Sequence, residues 1–345
     1  MGLNKDYRLN RNEISGALGD VGILIPLSLS LITINGLNPT SVLLSVGLLY
    51  IFAGLYFGIP MPVQPLKAVA AIAIASSLSP NVISAAAILM GGVLLLLSLS
   101  GAVNLLVRFF SVPVIKGIQL SIGLLFMKSG LEQIFKPEFL IGGPEMTITL
   151  LGRTVPLGVL IGPLSLLLIL GFIWHPRVPT SLLVLGFGVL VGTSLGSPSI
   201  PSFVNLGPIP LSFAWPAAKD FLTAFLLLVI PQLPLTLGNA VISTADVARE
   251  YFGEGAQRVT PRRLCYSMGL ANLWVGLTGG MPLCHGAGGL TAHYRFGART
   301  PTANLFIGGC CLLLALAFGQ ASISVLSLIP YSVLGALLFY VGWRH

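Results

Sequence analysis

Gly58-Ile59-Pro60-Met61-Pro62-Val63-Gln64-Pro65 and Gly280-Met281-Pro282-Leu283-Cys284-His285-Gly286 decide how this chain folds. Each stretch puts a Met-Pro break in front of a short apolar run, 62–77 in one case and 285–297 in the other. Each follows, some 35 to 50 residues on, an Ile-Pro inside a longer apolar segment: Ile25-Pro26-Leu27 and Ile230-Pro231-Gln232. Proline removes a backbone donor and crowds the turn before it. Both runs therefore read as half-helices that begin within the membrane. Short, interrupted segments at matching places in two halves of a chain point to the substrate site of a transporter. The competing reading is that Pro and Gly merely kink two packed membrane helices.

Composition fixes the setting. Of 345 residues, 55% are hydrophobic and 8% charged, and the mean hydropathy is +0.94. A soluble domain carries about 25% charged residues. So few ionisable groups could not cover a soluble surface, which excludes a cytosolic enzyme, a secreted domain and a disordered chain. Continuous rather than alternating apolar runs exclude a β-barrel. The expectation is an all-α polytopic membrane protein with about a dozen spans. They fall at 14–34, 40–58, 62–77, 81–100, 112–129, 156–174, 179–196, 217–243, 262–279, 285–297, 302–319 and 323–342. The polar start, Met1 to Arg11, has no short apolar region with a cleavage site, so no cleaved signal peptide is read.

The charges orient the spans. With the N-terminus cytoplasmic, thirteen basic residues fall inside: Lys5, Arg8, Arg11, Arg108, Lys116, Arg177, Arg249, Arg258, Arg262, Arg263, Arg295, Arg299 and Arg344. Four fall outside, namely Lys128, Lys136, Arg153 and Lys219, and Lys67 lies within the membrane. That is the positive-inside pattern of a cell (inner or plasma) membrane protein. It also accounts for the net charge of +8 without a nucleic-acid partner. Seven spans precede an uncharged outside linker at 197–216, so the second half runs inverted. The domain expectation is a first repeat at 1–200 and a second at 217–345, with about five spans, two short of the first. Gly188, Gly192 and Gly196 form a face for close helix packing.

The residues behind the breaks supply the chemistry. A half-helix leaves its first N–H groups unpaired and carries partial positive charge there, so two such ends facing each other suit an anion. Gly286 and Gly288 allow close approach to the backbone. Gln64 and His285 can hydrogen-bond an oxyanion, and Lys67 lies on the same helical face as Gln64. Gln232 and Asn239 share a face of the eighth span and are either ligand contacts or helix bridges. Lys67 and Asp20 are ionisable groups within the membrane, which costs about 3 kcal/mol each when unpaired. They are either an internal ion pair or a substrate charge and a coupling residue. The four cysteines, Cys265, Cys284, Cys310 and Cys311, and four histidines have no metal-ligand spacing. No metal, no cofactor and no catalytic group is expected, and the chain is not read as an enzyme.

Four blocks carry a resemblance: Ser15-Gly16-Ala17-Leu18-Gly19-Asp20, Gly58 to Ala68, Pro231 to Asn239, and Met281 to Arg299. They resemble the molybdate transporter family, itself distantly similar to sulfate permeases and nucleobase carriers. The resemblance implies a seven-plus-seven inverted-repeat carrier with a core domain (spans 1–4 and 8–11) and a gate domain (spans 5–7 and 12). It implies an oxyanion site between the third and tenth spans, at Gln64 and His285, and import of molybdate or tungstate. Asp20 is the expected coupling residue for a co-transported proton. The lipid bilayer and a second copy of the chain are the expected partners. A sulfate or general oxyanion carrier, and an anion channel, are the alternatives.

Overall fold

A computed structural model describes residues 7, 9–103, 112–140, 143–150, 153–172, 180–196, 206–211, 213, 215–326 and 328–343. Lys5, Arg8, Arg108, Arg177, Arg344 and residues 197–205 of the expected linker lie outside the described residues.

The first half begins with α1 (Arg11–Ala17), a tight turn over Leu18–Asp20, and α2 (Val21–Thr33). Then come α3 (Pro39–Phe57), the two-residue strand β1 (Gln64–Pro65), α4 (Lys67–Ala75) and α5 (Pro80–Ser100). After these follow α6 (Val112–Ile134), an antiparallel pair of β2 (Thr147–Leu150) and β3 (Arg153–Pro156), α7 (Gly158–Phe172) and α8 (Thr180–Leu195). The second half holds α9 (Ala218–Ala224), α10 (Ile230–Leu235), α11 (Thr244–Phe252) and α12 (Pro261–Thr278). It closes with β4 (Leu283–Cys284), α13 (Ala287–Arg295), α14 (Thr302–Leu326) and α15 (Tyr331–Trp343).

Each of the twelve expected segments coincides with a helix or half-helix. Among the described residues five are long and apolar enough to cross a bilayer alone, or six if the bent pair α1–α2 is one span. The others are shorter, as broken and tightly packed spans are. Three details differ from expectation, the first being that α14 runs on to Leu326, past the expected end at 319 and over the expected start of the last segment at 323. The eighth segment does not stop at 243, because no breaker intervenes before Gly253 at φ +51°; it runs on through α11. Thr147–Leu150 and Arg153–Pro156 pair antiparallel where plain loop is expected, with Ile148 opposite Val155. The alternation of Thr147, Ile148, Thr149 with Thr154 and Val155 is the strand signal there.

The packing is that of an inverted repeat. In the first half α3 lies on α14, and α5 lies on α12. Exchanging the two halves maps α3 onto α12 and α5 onto α14, so one helix pair becomes the other. Glycines make both approaches close. A Cβ on Gly47 would lie 2.9 Å from the Gly308 carbonyl, and one on Gly91 2.8 Å from the Leu273 nitrogen. The α6–α15 contact maps onto itself. The Gly188 and Gly192 face packs on Val333 and Leu328.

Both helices that lead into a break end alike, with a left-handed glycine: Gly58 at φ +77° after α3 and Gly279 at φ +67° after α12. The extended segments beyond need hydrogen bonds that no helix supplies. β1 and β4 provide part of them by pairing antiparallel, Gln64 opposite Cys284 and Pro65 opposite Leu283. The Leu66 N–H adds a bond of 2.9 Å to the Pro282 carbonyl. Two asparagines provide more. Asn272 on α12 accepts from the Leu283 N–H at 2.9 Å and donates to the Leu283 carbonyl at 2.7 Å. Asn304 on α14 donates to the Met61 carbonyl at 2.7 Å and the Tyr50 carbonyl at 3.0 Å. A buried polar group left without its partner costs about 1–3 kcal/mol. Asn272→Ala should therefore lower stability by about 2–5 kcal/mol, read as a fall in melting temperature of the detergent-purified protein, whereas Leu313→Ala, on an exposed face, should leave it unchanged.

Candidate functional site

The strand pair brings the N-termini of α4 and α13 to one crossing. Leu66 and Gly286 are the residues just before the two half-helices, and neither end is capped by its own preceding side chain. The ends differ in what does meet them. At α4 the amide oxygen of Gln232 accepts from the N–H groups of Ala68, at 2.8 Å, and Val69, at 3.3 Å. Gln232 is 3% exposed, and its amide nitrogen donates to the Thr236 hydroxyl at 2.9 Å.

Gln232 reaches α4 from an unusual helix. The stretch Ala218–Ala256 is continuous, but widens to π-helical turns over Phe225–Val229 and Thr236–Ser243. Pro231 and Pro234 have no N–H to give to the residues four before them, which favours such widening. Ser243 and Thr244 return their hydroxyls to carbonyls five residues back, Gly238 and Asn239, at 2.9 Å each. Widened turns of this kind cluster at functional sites.

His285 is wholly buried and serves the protein with both ring nitrogens. Nδ1 lies 2.8 Å from the Pro62 carbonyl, which can only accept, and Nε2 lies 2.9 Å from the Ser267 hydroxyl. Phe57 meets the ring edge-on at 5.5 Å. His285 thus ties the first break to the second. Gln64 is also wholly buried, with Gly286 against its amide: a Cβ at 286 would lie 2.5 Å from Gln64 Oε1. At Gly288 a Cβ would meet nothing within 4 Å. Gly286 is a packing glycine and Gly288 borders open space.

A small, partly open pocket lies beside the crossing, lined by Lys67, Gln119, Ile122, Gln232, Leu235, Asn239, Ala240 and Cys284. Of the residues singled out in the sequence it unites Lys67, Gln232 and Asn239. Gln64, His285, Gly286 and Gly288 stand behind or beside it. Asp20 ends the turn after α1, and its side chain is outside what the structure describes, as is any Asp20–Lys67 pair. Two lining residues escaped the sequence reading of the site. Gln119 sits in α6 with no break near it, so its only signal was an amide in an apolar span. Cys284 carries no signal in the sequence beyond a cysteine without metal-ligand spacing. The lining offers an ammonium, three carboxamides and a thiol, and no carboxylate. That inventory suits an anion with several acceptor oxygens. No three His, Cys, Asp or Glu side chains among the described residues are grouped to hold a metal ion.

The fold is that of an integral membrane transporter of the inverted-repeat class, with two half-helices that face each other across the strand pair. Comparison with known proteins places the chain within that class. The family described as "Molybdate transporter of MFS superfamily" matches residues 12–126 and 224–344, and the chain belongs to this family. It is 32% identical to "Molybdate transporter 2" of Arabidopsis thaliana, over 96% of this chain and 77% of that protein. It is 28% identical to "Molybdate transporter 1" of Chlamydomonas reinhardtii, over 97% of this chain and 83% of that one. "Probable sulfate transporter Rv1739c" of Mycobacterium tuberculosis is 26% identical, over 97% of this chain and 61% of that protein. Among solved structures, the transmembrane domain of the cyanobacterial bicarbonate transporter BicA superposes with a TM-score of 0.72 at 17% identity, over 97% of this chain and 88% of that one. Murine SLC26A9, an anion transporter in the inward-facing state, gives 0.66 at 16% identity, over 96% of this chain and 60% of that one. At these identities the two structures bear on the fold alone.

The two glycines should behave differently. Gly286→Ala forces the buried Gln64 amide to move and should cost about 1–3 kcal/mol, visible as a lower melting temperature. Gly288→Ala should melt like the wild type, and a loss of anion binding in that stable variant would mark the open space as the place of approach.

Proposed function

We propose that this protein is a secondary active transporter that imports molybdate, with tungstate as an analogue of the same charge and shape, by alternating access across the cell (inner or plasma) membrane. The observation that carries the reading is the pocket beside the crossing, where Lys67, Gln119, Gln232 and Asn239 converge. A tetrahedral dianion accepts hydrogen bonds at every oxygen. The lining supplies donors, the uncapped N-terminus of α13 lies two residues from Cys284, and the half-helix dipoles favour negative charge. The relatives named for molybdate supply the substrate.

The division into a moving core and a static gate rests on the packing. In the proposed domains the first repeat is 1–200 and the second 217–345, with the linker 197–216 outside. The core is α1–α5 with α9–α14, and the gate is α6–α8 with α15. Ile161, Ile169, Val184, Val191, Val333 and Leu337 belong to one apolar cluster, whose fully buried members all come from the gate side. Gln119 belongs to the gate, whereas Lys67, Gln232, Asn239 and Cys284 belong to the core, so the pocket lies on the boundary between them. Movement of one part along the other would then change the side from which the anion is reached. Gln64, His285 and Gly286 hold the crossing in shape in this proposal, and Gly288 leaves room for the anion.

Moving a dianion inward against a negative-inside potential costs about 2.3 kcal/mol per charge per 100 mV. Accumulation therefore needs a co-transported cation. A proton with Asp20 as the coupling residue is the proposed arrangement. The N-terminus is proposed to be cytoplasmic, on the charge pattern, and a homodimer is the proposed assembly. A sulfate or general oxyanion carrier is the second reading, favoured by the mycobacterial relative.

Equilibrium binding of molybdate to the purified protein, with sulfate in large excess, tests the substrate. Tight binding that resists sulfate is expected, with Lys67→Gln and Gln119→Ala each weakening it about tenfold or more, which is about 1.4 kcal/mol or more. Equal displacement by sulfate would replace molybdate by a general oxyanion. Ohmic, non-saturating flux in vesicles would replace the carrier by a channel. Asp20→Asn should abolish uphill accumulation and spare binding; accumulation by that variant would end its coupling role.

A further inference from the structure

The two half-helices are related by the repeat, yet their ends are treated differently. Helix N-termini are ordinarily capped by the residue just before them, a Ser, Thr, Asp or Asn. Leu66 and Gly286 offer no such side chain. At α4 the cap arrives instead from 164 residues away, as the amide oxygen of Gln232. This oxygen sits on two adjacent helix N–H groups, at the mouth of the pocket that Gln232 and Lys67 line together. An oxygen of a bound oxyanion would take the same position. Apart from these two bonds the carboxamide is held, among the described residues, through Nε2 to Thr236 on its own helix, and that helix is widened on both sides of Gln232.

We infer that Gln232 is an internal occupant of the oxyanion site, whose amide oxygen holds the Ala68 and Val69 N–H groups until an oxygen of the substrate displaces it. The inference rests on the oxyanion reading above and goes beyond it, because it makes Gln232 a competitor of the anion as well as a neighbour. A charged oxygen makes the stronger bond to a helix N-terminus, so the dianion wins the exchange. In the empty site these two N–H groups are then not left unsatisfied in the membrane. The released carboxamide can then present its N–H groups to the anion. Displacement also cuts the link between α4 and the widened helix, so occupancy is signalled directly to the element that carries Asn239.

Calorimetric titration of molybdate into the purified full-length protein, in wild type, Gln232→Ala and Gln232→Glu, tests the exchange. Each protein is also heated with and without molybdate. Removing the occupant should tighten binding about three- to tenfold. It should lower the melting temperature of the empty protein and enlarge the rise that molybdate causes. Gln232→Glu places a permanent anion on the same N–H groups. It should weaken binding at least about a hundredfold while the empty protein melts no lower than wild type. An ordinary ligand or a purely structural cap predicts otherwise: Gln232→Ala then binds more weakly than wild type, whatever Gln232→Glu loses through charge repulsion alone. That order of affinities in proteins that bind in the wild-type form overturns the occupant and leaves the substrate reading standing. No oxyanion binding by the wild type overturns both. If Gln232→Ala does not fold, a heat-stable Gln232→Glu with wild-type affinity still overturns the inference.

Discussion

The constraint on which the rest of this structure depends is the hydrogen bonding of backbone that leaves helical form within the membrane. Every N–H and C=O exposed by the two Met-Pro breaks must find a partner inside the protein, because hydrocarbon offers none. The solution is reciprocal. Each broken segment is the other's partner, through the two-residue strands and the Leu66–Pro282 bond. The surrounding helices supply amides and an imidazole where strand pairing stops: Asn272 at Leu283, Asn304 at Met61, and His285 at Pro62. This requirement explains why so many polar side chains are wholly buried in so apolar a chain.

The same requirement sorts the buried polar side chains. His285, Asn272 and Asn304 are committed to the crossing. Lys67, Gln119, Gln232 and Asn239 line the space beside it. Gln232 stands between the two groups, since it borders the pocket and also satisfies the first turn of α4. The prolines around it have a matching consequence. By depriving the helix of donors they let it widen, and a widened helix can change its side-chain presentation at low cost.

The fold was legible because membrane spans announce themselves by apolar length and breaks by Pro and Gly. Both half-helices were placed from Met61-Pro62 and Met281-Pro282 to within a few residues. Positions that depend on the partner segment were not legible. Nothing near His285 in sequence reveals that its ring reaches Pro62 and Ser267, and nothing near Gly286 reveals the Gln64 amide behind it. Gln119 was invisible because an amide in an apolar helix signals burial without saying against what. The strand pair at 147–150 and 153–156 was passed over because a short β alternation is a weak signal among long apolar runs. The length of the eighth helix was underestimated because its later turns are polar, although no residue there stops it before Gly253.

The pairing of β1 with β4 joins positions more than two hundred residues apart, and this has a bearing on how the protein is made. When residues 58–66 enter the bilayer, the partners of their backbone groups have not yet been synthesised. Closing so long a loop comes late and carries an entropic cost. The first half must therefore wait in the membrane with its breaks solvated by water, lipid headgroups or the insertion machinery. Only when 281–285 arrive do both halves dry and lock together. The crossing is thus completed only once both halves have been made, and neither half can form it by itself.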